Sequence, residues 1–238
     1  MRIGLAIPSS YKHLHKVIQL LQSIEQQTRK PDEVVVSMSS CPSHQNWCEG
    51  KQLGCFEGPE HIQFDINPLS FPVKILTTSL KKTAGQNRNI AASQLTTEII
   101  SFFDADDVMH PQRFQALEEA FSNDKGKGAD IVLHNFNHIQ TNEYKPFIYY
   151  SYFDMTANKL VRAPSLCAKM STDFRIPLHQ SQVTVRRWVL EKVKFIEEPR
   201  SGTDAIFCGA VCALPEITSQ YITNPLSHYY PSNTFGIN

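Results

Sequence analysis

The chain has 238 residues, with 23 Lys plus Arg balancing 23 Asp plus Glu, and is 41% hydrophobic and 19% charged. This is the composition of a globular protein, long enough for one domain with a full core. The even charge argues against a nucleic-acid binder, and no stretch approaches the roughly 18 apolar residues of a membrane span.

The opening MRIGLAIPSSYK is too short an apolar run for a secretory leader and is broken by Pro8. The expectation is a soluble cytoplasmic protein, with peripheral membrane association left open. The six cysteines include Cys41, Cys48 and Cys55 in a polar stretch, and Cys208 and Cys212. None shows C-x-x-C spacing, so free thiols in a reducing compartment are expected, with a disulfide or metal at 41–55 as the alternative.

IGLAIP (3–8) suits a buried parallel strand. Ser9 and Ser10 can cap a helix in which Leu14, Val17, Ile18, Leu21 and Ile24 fall on one face, ending near Thr28–Lys30. DEVVVSM (32–38) is a second strand, so a βαβ unit and a parallel sheet follow. Residues 39–70 read as an irregular loop or small insertion, and a loop of that length is often functional.

VKILTT (73–78) is a third strand, followed by a helix over 84–95. EIISFFD (98–104) is a fourth strand, apolar enough to be central; Pro111 suits the first turn of the helix QRFQALEEAF, and DIVLHNF (130–136) is a fifth strand. Beyond about 140 the alternation loosens. A short strand is expected at 182–187, helical turns at 188–193, a helix at 202–214 and a late strand near 221–223. No linker or repeat interrupts the chain. It reads as one α/β domain over 1–238, in which about 1–137 is a nucleotide-type half and about 138–238 an α+β half.

The apolar strand at 98–103 runs straight into Asp104, Asp106 and Asp107. Ligands bind beyond the carboxyl ends of strands in open α/β sheets. Hard cations take carboxylate oxygens, and Mg²⁺ is typically held by one or two of them plus substrate phosphates. A solvated turn capping the next helix would also use acids here.

The block AGQNRNIAASQLTTEIISFFDADDVMHPQRF resembles the centre of family 2 glycosyltransferases of the GT-A fold. Gly85, Arg88 and Asn89 match its G-x-x-x-ARN-like helix, and Asp104, Asp106 and Asp107 match its D-x-D-D. GLAIPSSYKHLHKVIQLLQSIEQQTRKPDEVVVS is similar to the family's opening, so the resemblance covers most of 3–114. Two weaker likenesses follow. QVTVRRWVLEKVKFIEE looks like the approach to the family's E-D pair, with Thr203-Asp204 in its place, and His228 is the best-placed later histidine.

The resemblance implies a Rossmann-like nucleotide-diphospho-sugar transferase fold, with a mostly parallel central sheet flanked by helices. It implies a metal-dependent, inverting transfer of sugar from a nucleotide-diphosphate sugar to a glycan, lipid-linked or protein acceptor, with Mn²⁺ or Mg²⁺ as cofactor. Asp204 would be the catalytic base. Pro8, Ser9, Ser37, Ser39, Arg88, Asp104 and Asp106 would face the donor. Asp106, Asp104 and His228 would bind the metal, and Asp107 and Thr203 would lie on the acceptor side.

Plainer roles stand beside these: a helix N-terminal acid for Asp204, a surface or core histidine for His228, a structural ion pair for Arg88. The aspartates expected at the end of the second strand are replaced by Ser37-Met38-Ser39-Ser40, and the expected Glu before Asp204 is Thr203. The aromatic run YKPFIYYSYF (144–153) could stack on a sugar acceptor or simply fill core. A degenerate GT-A domain that binds a nucleotide sugar or glycan without turnover is the non-enzyme alternative. A sugar nucleotidylyltransferase is disfavoured because no glycine-rich loop follows the first strand.

Overall fold

The computed structural model describes residues 1–41, 54–57, 69–122, 128–139, 160–162, 180–199, 202–215 and 217–230. Ten strands form one sheet in the order β3-β4-β2-β1-β5-β9-β7-β10-β6, with β8 paired to β10. The strands are β1 (Ile3–Ser10), β2 (Glu33–Ser39), β3 (Gly54–Glu57), β4 (Val73–Thr77), β5 (Ile99–Phe102), β6 (Val108–Met109), β7 (Ile131–His138), β8 (Leu160–Arg162), β9 (Val183–Arg186) and β10 (Thr218–Tyr229). The helices are α1 (Leu14–Glu25), α2 (Ala84–Gln94), α3 (Arg113–Ser122), α4 (Arg187–Lys192) and α5 (Thr203–Cys212).

The block β4-β2-β1-β5 is parallel throughout. β9 then runs antiparallel to both β5 and β7, while β10 is parallel to β7 and antiparallel to β6 and β8. The sheet is therefore mixed: its continuous parallel block comes from the first half of the chain, and β7–β10 is one further parallel pair. β5 sits near the centre, as its apolar sequence requires.

Period-2 alternation divides the core between the two faces. Ile3, Leu5 and Ile7 of β1, with Val34 and Val36 of β2, pack against Val17, Leu21 and Ile24 of α1 and Phe114 and Leu117 of α3. Ala6 and Val35 face the other way, toward Ala91 of α2, Val189 of α4 and Phe207 of α5. The helices thus cover both faces of the sheet.

Several expectations are revised. α1 ends at Glu25, not near Thr28–Lys30, because the following residues bond elsewhere: Gln27 Nε2 donates to His110 O at 2.8 Å and Thr28 N to Pro111 O at 3.0 Å. Ser10 prolongs β1 and makes no side-chain cap. Within 39–70 a strand, β3, adds antiparallel to β4. Cys212 is disulfide-bonded, not a free thiol. The aromatic run 144–153 and Cys48 lie outside the described residues.

Candidate active site

The carboxyl ends of β1, β2 and β5 open onto one edge of the sheet. After β5, Phe103 N donates to Ala6 O at 3.2 Å, and a turn closed by Asp107 N to Asp104 O at 3.2 Å carries the three aspartates. The turn leads directly into β6, where Val108 pairs with His228 of β10. The tail of β10 therefore folds back over the acidic turn, and Tyr230 N donates to Asp107 Oδ1 at 3.3 Å.

Arg88 ties this turn to the second half of the chain. Both of its hydrogen bonds to Asp104 come from NH2, at 3.1 Å to each oxygen, while NH1 donates to Asp204 Oδ1 at 3.0 Å. Arg88 is 5% exposed, so these contacts are made largely away from water. Burial alone would lower its pKa; the charges of Asp104 and Asp204 prevail and raise it. Arg88 is thus held cationic between two carboxylates that are 100 residues apart in sequence.

The motif around Arg88 explains how Asp204 arrives there. α2 begins with a capping box between Thr83 and Gln86. A Cβ on Gly85 would lie 1.9 Å from Ile196 O, so only glycine allows the strand-like segment 193–197 to approach. Asn89 clasps that segment from both sides: Nδ2 donates to Phe195 O and Oδ1 accepts from Phe195 N, each at 3.0 Å. Phe195 stacks on Phe207 of α5 with centroids 3.9 Å apart. Gly85 and Asn89 therefore fix the segment whose continuation opens α5 with Thr203 and Asp204.

The acidic turn is electrostatically strained. Burial, followed by the charge of Asp104, raises the pKa of Asp106; Lys16 partly offsets this. Burial, followed by the charges of Asp106 and Asp104, raises that of Asp107 well above the ordinary carboxylate value. Asp107 accepts from the Ser181 hydroxyl, which compensates part of that cost. Among the described residues no three His, Cys, Asp or Glu side chains converge as a ready cation site, so Asp106, Asp104 and His228 are not a preformed ligand set. Hard carboxylate oxygens crowded at a strand end nevertheless fit a cation that completes its shell with substrate oxygens and water.

Ser37 and Ser39 are buried, and their hydroxyls bond inward. Ser37 Oγ donates to Asn87 Oδ1 at 3.0 Å, while Asn87 Nδ2 donates to Ser39 Oγ at 3.1 Å and to Ser9 O at 2.9 Å. Asn87 thereby locks the ends of β1 and β2 to α2. Pro8 is buried one residue earlier on β1. Beside Asp204, a cleft of about 620 Å³ is lined by Lys81, Lys82, Gly85, Glu197, Glu198 and Thr203.

Residues 59–173 match the family model described as glycosyl transferase family 2. The fold matches solved structures of S. aureus TarS. TarS 1–349 in complex with UDP is 17% identical with a TM-score of 0.61, over 98% of this chain and 61% of that one. The complex with UDP-GlcNAc is 17% identical with a TM-score of 0.63, over 97% and 59%. Just under half of the chain is thus similar to family 2 glycosyltransferases, and its fold is that of the TarS structures.

A further S. aureus TarS structure is also matched, at 17% identity and a TM-score of 0.63, over 98% of this chain and 37% of that one. The chain thus spans less than two thirds of the length of these structures. No curated protein matches it. The family match contains Gly85, Arg88, Asp104, Asp106 and Asp107, whereas Pro8, Ser9, Ser37, Ser39, Thr203, Asp204 and His228 lie outside it.

The structure gathers Asp104, Thr203 and Asp204 around Arg88, with Arg88 NH1 3.5 Å from Thr203 Oγ1. His228 is placed beside the turn by the β6–β10 pairing, on the backbone rung of Val108. Asn87, Ser181 and Arg113 escaped the sequence reading. Asn87 and Arg113 were within reach of it, both lying inside the block that carries the resemblance; Ser181 carries no local signal.

Proposed function

We propose that the domain transfers a sugar from a nucleotide-diphosphate sugar, with uridine diphosphate sugars the first donors to test, onto a hydroxyl of a glycan, lipid-linked or protein acceptor. The observation that carries this reading is the Arg88 clamp, which joins a carboxylate of the acidic turn to the carboxylate that opens α5. A donor-side acid and an acceptor-side acid are both held by one buried guanidinium, which fixes the two sides of a single-displacement site relative to each other. The UDP and UDP-GlcNAc complexes of TarS, of the same fold, support the choice of donor.

Asp106 and Asp104 would hold Mn²⁺ or Mg²⁺ together with the donor diphosphate, with His228 adjacent. When bound, that cation neutralises charge developing on the leaving diphosphate. Pro8 and Ser9, at the end of β1, form the donor-side floor. Ser37 and Ser39 keep that floor in place through Asn87. Asp107 shapes the turn from behind, toward the acceptor side with Thr203.

Asp204 takes the proton of the attacking acceptor hydroxyl. Arg88 aims its carboxylate and must release part of its hold as the hydroxyl arrives. One base and no covalent intermediate give inversion at the anomeric carbon. The cleft beside Thr203 is the entry for the acceptor.

The test is a thermal-shift panel of UDP-, GDP- and dTDP-sugars, each with Mn²⁺, Mg²⁺ or chelator, paired with product analysis of Asp204→Asn. A ligand that binds only the folded state raises Tm by mass action. The expected result is a cation-dependent shift with one nucleotide class, retained by Asp204→Asn while transfer is lost. No shift with any donor would favour a domain that binds another ligand, and donor binding without detectable transfer by the parent chain would favour a binding domain without turnover.

A further inference from the structure

The acidic turn rests on a polar support that no catalytic role absorbs. Ser181, in the helical turn Gln180–Gln182 before β9, is fully buried. Its hydroxyl donates to the Asp107 carboxylate and accepts the Asp104 backbone N–H at 3.0 Å, so one side chain bridges both ends of the turn. Its carbonyl accepts from Arg113 NH2 at 2.9 Å.

Arg113, on α3, is 0% exposed and makes no ion pair with any described carboxylate. The same NH2 donates to Phe102 O, the last residue of β5, at 3.2 Å, and Nε donates to His134 Nε2 at 3.1 Å. That bond needs a lone pair on Nε2, so the His134 proton sits on Nδ1, facing Asn135 O at 2.8 Å. The rings of Phe103 and Phe114 lie 5.0 and 5.6 Å from the guanidinium carbon. Burying a cation this deeply is costly, and here one of its nitrogens, NH2, spans two carbonyls that must be kept at a set spacing.

We infer that Ser181 is a positioning residue for the acidic turn, and that Arg113 sets its place by clamping the Ser181 and Phe102 carbonyls together. This deepens the reading of Asp104 and Asp106 as the donor and cation carboxylates, and rests on it only for its consequence in binding. The hydroxyl stops Asp107 from swinging toward its two neighbours and pins the Asp104 amide. The turn then presents Asp104 and Asp106 outward in one arrangement. Removing a partner that orients a ligating group typically weakens metal binding by about 10–100-fold.

The experiment uses the full chain as parent, Ser181→Ala and Ser181→Cys; cysteine fills the same space with a weak donor and controls for the cavity. Amide hydrogen exchange is followed at Asp104 and along β5, and Mn²⁺ binding is titrated by electron paramagnetic resonance in the presence of UDP. Both variants should exchange the Asp104 amide about tenfold faster, the loss of one hydrogen bond, with β5 amides unchanged. Both should bind Mn²⁺ about tenfold more weakly. Unchanged Asp104 exchange in both variants overturns the positioning role, as does faster exchange with parental Mn²⁺ affinity. If the parent itself binds no Mn²⁺ with UDP, the proposed function fails and the exchange result alone upholds or overturns the inference.

Discussion

Arg88 and Asp204 meet at 3.0 Å, although they lie on helices 116 residues apart in sequence, and Arg88 spends its other terminal nitrogen on Asp104. A planar fork reaches both carboxylates at once; an ammonium does not. Arg88→Lys should therefore retain the fold at a cost of about 2 kcal/mol. Transfer should fall by about a hundredfold, because Asp204 loses its aim. Parallel urea unfolding and initial rates check this; parental turnover in the lysine variant would show that the fork is not needed.

Gly85 faces Ile196 so closely that an added Cβ would stand 1.9 Å from a backbone oxygen. Backbone cannot swing aside as a side-chain tip can, so α2 and the 193–197 segment must part. Gly85→Ala should cost about 1–3 kcal/mol, the range for overpacking. Since that segment carries Phe195 and leads to α5, activity should fall further than stability does. Unfolding midpoints compared with transfer rates decide it, and an alanine variant with parental stability would contradict the close approach.

The elements legible in the sequence were those whose burial is periodic. β1, β2, β4, β5, β7 and β9 alternate or are apolar throughout, and α1 shows its stripe. β6 has two residues, too few for any period, and exists because β10 returns to pair with it. β10 extends over twelve residues through Pro225, with register shifts on either side of it, so a short strand was all its sequence suggested. The acidic turn was readable because a spacing of carboxylates is local. Ser181 and Asp107 are 74 residues apart, and nothing near either residue announces the other. Serines at the end of β2 looked like substitutes for base-reading acids; their burial against Asn87 depends on a helix 50 residues away.

Asp32 couples stability to acid. Its carboxylate accepts Ile3 N–H at 2.7 Å and pairs with Arg29 at 2.7 Å. Burial opposes ionisation, but the Ile3 amide and then Arg29 outweigh it, so the folded pKa lies below the ordinary value of 3.8. A depressed carboxylate contributes stability in full above its unfolded pKa and loses it as pH falls through the folded one. Tm measured from about pH 6 to pH 3 should drop at the acid end, and Asp32→Asn should be less stable at neutral pH with a flatter acid limb. Parallel curves for the two proteins would remove Asp32 from the acid transition.

Asp106 should show a trade between stability and binding. In the metal-free protein it is a half-buried acid beside Asp104 and Asp107, and burial together with the Asp104 charge already opposes its ionisation. Asp106→Asn removes one charge from the cluster while preserving shape, so metal-free Tm should rise by about 2–4 °C, the shift expected for about 1 kcal/mol in a domain of this size. The same variant gives up a hard anionic oxygen, so the Tm gain expected of the parent with Mn²⁺ and UDP should disappear. The two effects have opposite sign in one pair of melting curves. An asparagine variant that melts lower without metal would show that the acidic turn is not held against its own repulsion, whereas one that keeps the full Mn²⁺ response would move the cation away from Asp106.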